Sequence, residues 1–233
     1  MKEIARIRRL SLWIFLIPLL AINLCLLISQ NPEFLDNTIF SVDQIGKSNF
    51  TIPYIDGSLS ISRASRTFPQ YLIFKPAMFL TAIFLFIYWK NNNQLINNLN
   101  SSNFNYKFKT FGILSAIFLV IHSILLGVKF DFQIYKLFRR VVLLLFIIFE
   151  IIAQGMLVYH FYKLKRKLEE LINKKILILK IILVIVLALV GILSLPILIT
   201  KGNTHFKHAL EWNYFVGVIT FYLFSRFFWR RTT

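Results

Sequence analysis

Six apolar blocks, each nearly free of charge, alternate along the chain with polar segments that hold most of its lysine and arginine. Each block is long enough to cross a hydrocarbon core of about 30 Å, which takes about 20 helical residues. The blocks cover about 10–29, 71–89, 108–128, 141–159, 176–200 and 212–229. Backbone amides and carbonyls in lipid must find partners within their own segment, so each block is expected to be a helix. A β-barrel would show short alternating strands instead. The pattern therefore predicts an all-α polytopic membrane protein: one domain over 1–233, six transmembrane helices and a long external loop over 30–70. The first block follows Lys2, Arg6, Arg8 and Arg9, as a signal peptide would. Its apolar run is too long and no Ala-x-Ala site follows, so it reads as a retained helix.

Composition agrees with this pattern. Hydrophobic residues make up 57% of the 233 positions and charged ones 16%, against about 45–50% and about 25% in soluble domains. The single cysteine, Cys25, excludes an internal disulfide. The net charge of +17 invites a nucleic-acid reading. Its placement argues otherwise, because the cations flank the apolar blocks and do not form one basic stripe. Membrane lipids are the expected partners and nucleic acid is not; no protein partner is indicated.

Orientation follows from the basic residues. With both termini cytoplasmic, the inner segments carry 17 of the 27 lysines and arginines, including the stretch from Lys163 to Lys180. Lys129, Lys136, Arg139 and Arg140 crowd the short third loop, on the outer side. Trp13, Trp89, Trp212 and Trp229 lie near block ends, as an interfacial belt would place them.

Between the blocks, Pro53 to Pro69 is polar and serine-rich, with a turn signal at Asp56-Gly57 and cations at Arg63 and Arg66. It is expected to cap the outer helix ends, the alternative being a solvated loop at the membrane surface. The segment from Asn91 reads as a flexible linker. Lys163 to Lys175 shows helical spacing, with Leu164, Leu168, Leu171 and Ile172 on one side.

Polar residues inside the apolar blocks are costly and therefore informative. Glu150 stands in the fourth, with Gln154 one turn away on the same face. Its readings are a bond between helices or a functional site. His122, in the third block, reads as packing or chemistry. Before the sixth block, His205, His208 and Glu211 recur at a spacing of three. Histidine with carboxylate is a zinc-ligand set; a polar pocket or ordinary interfacial bonding are the alternatives. No nucleophile elbow, phosphate-binding glycine loop or haem signature is present, so no catalytic residue is assigned and no cofactor beyond that zinc option is expected.

The order of these features resembles the DRAM/FRAG/Sfk-type membrane proteins, which are related to the membrane region of GPI-anchor lipid-remodelling proteins. The similar residues are Pro53, Ile55 and Gly57 in the first loop, Pro69 before Ile73-Phe74, Glu150 and Gln154 in the fourth helix, and Glu211-Trp212 with Tyr214 opening the last. Where many members have a His-Asn pair, this chain has Arg139-Arg140. The resemblance implies a six-helix protein that binds or reorganises lipid at its outer face.

The expected function is lipid binding or organisation there, through Asp56, Arg63, Arg66, His122, Arg139, Arg140, Glu150, Gln154 and Glu211. The alternatives are a lipid hydrolase or remodelling enzyme, metal-dependent in one version, a proton-coupled carrier, or a structural adaptor. The carrier ranks last because the inner halves of the blocks look almost featureless. The expected location is the inner membrane of a bacterium.

Overall fold

A computed structural model describes residues 2–35, 38–40, 50–100, 106–128, 133–200 and 202–230. Six long helices dominate it: α1 (Lys2–Gln30), α4 (Gln70–Asn100), α5 (Lys107–Leu125), α6 (Gln133–Lys163), α7 (Lys174–Ile199) and α8 (Thr204–Phe228). Two short ones, α2 (Pro53–Asp56) and α3 (Ile61–Ser65), lie in the first long connection. Five of the long helices are long and apolar enough to cross a membrane by length and composition; α8 is long enough but more polar.

The long helices form a closed ring in chain order, each packed on the next and α8 on α1. The core lies inside this ring. At one end, here the base, α1 begins, α4 ends, α5 begins, α6 ends, α7 begins and α8 ends. Asn98 donates to Glu3 Oε1 at 2.9 Å there. The Asn173 amide donates to the Phe228 carbonyl at 2.8 Å. The opposite end is covered by α2 and α3 and is called the cap end.

Three expectations change. The Asn91 segment is not a linker: α4 continues through it to Asn100, and Asn91, Asn92 and Asn93 are buried. The physical reason is that two of these amides, those of Asn92 and Asn93, have backbone groups to satisfy. Asn92 donates to the Tyr88 carbonyl at 2.8 Å. Asn93 accepts the Tyr106 amide at 3.0 Å, at the start of α5 where Tyr106 has no side-chain cap of its own. Ser101 to Asn105 lie outside the described residues.

The tryptophans do not form the expected belt, although Tyr159 and Tyr162 do face outward. Trp89, Trp212 and Trp229 are 0–2% exposed and only Trp13, at 46%, faces outward. Proximity to a block end does not say which side of the helix a ring occupies. Gly112 on α5 makes room for Trp89: a Cβ there would come within 2.3 Å of the indole. Finally, Leu164 to Leu171 form turns, not a helix, although Leu168 and Ile172 are buried as the spacing suggested. An antiparallel bridge from Ile172 to Trp229 holds this connection to the end of α8.

Candidate functional site

The cap is built by local hydrogen bonding. Asp56 accepts the Ser58 amide at 2.8 Å, the Ser58 hydroxyl at 2.7 Å and the Ile52 amide at 2.9 Å. Those bonds, the Ser58 amide first, hold its carboxyl below the usual range. Gly57 ends α2 in the left-handed region at φ 60°. The Ser60 hydroxyl accepts the Arg63 amide and so starts α3.

Helix α8 holds this cap by its first three turns. The Nδ1 atoms of His205 and His208 face the carbonyls of Asp56 and Gly57 at 3.2 and 3.0 Å. Trp212 Nε1 donates to the Leu59 carbonyl at 2.7 Å, and Asn213 to that of Tyr54 at 2.7 Å. The histidine spacing therefore serves docking, one imidazole per carbonyl. Among the described residues no three His, Cys, Asp or Glu side chains gather as a metal site. Glu211 is half-buried on the same helix, against the Ser62 amide.

The docked cap brings cations together. Arg63 and Arg66 extend from α3, and Arg139 reaches them from α6, with Nη2 at 3.4 Å from Ser62 Oγ. Partial burial, then the positive charges of Arg63 and Arg139, hold the Arg66 guanidinium below its usual value. Among the described residues no carboxylate pairs with any of the three, and Arg139 Nε is buried without a partner. His122 is buried in α5, its Nδ1 likewise unpartnered. Arg140 points to the exposed surface. Lys129 lies outside the described residues.

A second polar cluster lies inside the ring, from mid-bundle toward the base. Glu150 is 1% exposed. Its Oε1 accepts from the Tyr222 hydroxyl and from Gln154 Nε2, the latter at 3.0 Å. Its Oε2 lies 2.5 Å from Ser115 Oγ. Beside it, Tyr88 and Tyr222 meet edge to face at 5.1 Å. Tyr88 Oη and Ser225 Oγ are 3.1 Å apart, and Lys180 Nζ donates to Ser225 Oγ at 2.8 Å.

Lys180 is fully buried, with the rings of Phe221, Phe228 and Phe161 at 4.0, 5.1 and 5.9 Å from Nζ. This corrects two readings: the base half of the bundle is not featureless, and Lys180 is not a surface cation. Sequence reasoning reached Glu150 and Gln154 but missed Tyr88, Tyr222, Ser225 and Lys180.

Glu150 and the arginine group thus belong to two separate constellations. Comparison with family models, with curated proteins and with solved structures finds no match to this chain.

Proposed function

We propose that this is a six-span integral membrane protein whose cap end binds the phosphate of a lipid headgroup. In this reading α8 is the sixth span, and the base faces the cytoplasm. The basic residues around the base and the apolar outer faces of the helices support that orientation. The inner membrane of a bacterium and a place among the DRAM/FRAG/Sfk-type proteins belong to the same proposal. The residues of that resemblance in the first loop and at Glu211-Trp212 are those that build the cap and its seat on α8.

One observation carries the reading: Arg63, Arg66 and Arg139 converge with no described carboxylate on any of them. Like charges gathered at a membrane-facing end are destabilising until an anion joins them. A phosphate suits them, because guanidinium groups offer paired N–H donors to its oxygens. Glu211, beneath α3, supplies an acceptor for an amine or hydroxyl on the same headgroup. One arginine on a long helix and two on the cap, at Arg63 in α3 and Arg66 at its end, would make binding depend on the cap staying docked.

Native mass spectrometry of the protein extracted with its lipids tests this. The triple variant Arg63→Gln, Arg66→Gln, Arg139→Gln is expected to retain one phospholipid fewer than the parent chain. Equal retention by a folded variant overturns the proposal.

A further inference from the structure

At the base, α1 and α8 leave an open groove of about 510 Å³ between them. Ala5, Arg8, Arg9, Leu12, Trp13 and Arg226 line it. Three guanidinium groups therefore border one apolar floor, and among the described residues no acidic side chain lines it. We infer that this groove is a second lipid site, distinct from the cap end, that seats an anionic phospholipid with its phosphate among Arg8, Arg9 and Arg226.

The shape of α1 argues for a lipid over a free anion. Arg9, Trp13, Leu20, Leu24 and Leu27 are all outward-facing. Their spacings of four, seven, four and three place them along one helix face. The stripe starts with a cation, passes an indole, and continues as leucine toward the cap end. That is the order of phosphate, glycerol region and acyl chain in a single phospholipid. Indole rings favour the headgroup level, and Trp13 is the one tryptophan that the fold leaves exposed.

Charge complementarity selects the headgroup. A basic residue near an anionic membrane surface contributes about 1 kcal/mol, and in the groove cations from two helices act on one phosphate. Arg226 comes from α8 and Arg9 from α1, so a bound lipid would also bridge the two helices that close the ring. Nothing in this site shares a residue with the cap arginines.

The burial of Trp89, Trp212 and Trp229 makes Trp13 a local reporter. The full chain is reconstituted in phosphatidylcholine vesicles holding a minor fraction of a lipid brominated on its acyl chains, and tryptophan quenching is read. Brominated phosphatidylglycerol should quench more than brominated phosphatidylcholine. Its relative affinity should fall about fivefold for each of Arg9→Gln and Arg226→Gln. Arg9 is exposed, so its single variant keeps the fold testable. The headgroup preference should vanish in Trp13→Phe and survive in the cap triple variant. Equal quenching by the two lipids overturns the inference. So does a preference that persists in Arg9→Gln with Arg226→Gln or in Trp13→Phe, or one that is lost in the cap triple variant. The cap proposal stands or falls separately, on its own lipid count.

Discussion

The indole Nε1–H of Trp212 donates to the Leu59 carbonyl at 2.7 Å, and both residues are buried. This bond joins the middle of the cap to α8 where water cannot replace it. Trp212→Phe keeps most of the packing but leaves the carbonyl without a donor. The expected cost is about 1–3 kcal/mol, read as a lower thermal midpoint and as faster proteolysis within 50–69.

Gly57 makes the same junction depend on the backbone. It combines φ 60° with a position where a Cβ would lie 1.7 Å from the His205 carbonyl oxygen. Gly57→Ala should therefore undock the cap and lower lipid retention at the arginine group. Gly155→Ala is the control. Its Cβ would sit 3.4 Å from Val184, and it should leave both the thermal midpoint and retention unchanged.

The Ser115 hydroxyl lies 2.8 Å from the Gly112 carbonyl and 2.5 Å from Glu150 Oε2, and it has one proton to give. When that proton goes to Gly112, Glu150 must donate to Ser115 as a neutral acid. Glu150→Gln reproduces that pattern, since an amide N–H can donate to Ser115 while its oxygen accepts from Tyr222 and Gln154. Equal thermal midpoints for parent and Glu150→Gln are expected. Glu150→Ala strands two buried donors and should cost about 2 kcal/mol or more. A loss in Glu150→Gln as large as that in Glu150→Ala would mean that the carboxylate is ionised.

Among the described residues Lys180 has one polar partner, Ser225, and a cage of phenylalanine rings. Removing a buried charge of this kind while keeping its volume is often neutral or stabilising. Lys180→Met should therefore melt at or above the parent temperature, with Ser225 still bonded to Tyr88. A fall of several degrees would show that the ammonium is needed in the core.

Acid should loosen the cap. The native carboxyl of Asp56 is held below its ordinary value of 3.8, chiefly by the Ser58 amide. Its contribution is fully present above the unfolded value and is lost as pH falls through the lower, folded one. Protease cleavage within the cap should rise below about pH 4, and Asp56→Asn should remove that step.

How much of this was legible in the sequence depends on the range of the signal. The long helices follow from apolar runs, which are local. The Glu150–Gln154 contact follows from one helical turn, and the cap from its turn residues and prolines. Lys180 and Ser225 lie 45 positions apart and Tyr88 and Ser225 137 apart, so no periodicity links them. Lys180 stands one turn past a basic run, and only the packing of α7 on α8 turns it inward. The histidines of α8 showed a spacing but not its use, because a row of carbonyls to dock leaves no mark of its own in sequence.

The ring of helices also sets an order of events during biosynthesis. Chains emerge from the amino terminus, so α1 is in place before α8 exists. Until α8 arrives, the carbonyls of Tyr54, Asp56, Gly57 and Leu59 lack the partners that α8 gives them. Helix α8, made after the other five long helices, therefore closes the bundle and seats the cap in one step. Ribosome-bound intermediates lacking α8 should show the segment around Leu59 open to protease, and release of the full chain should protect it.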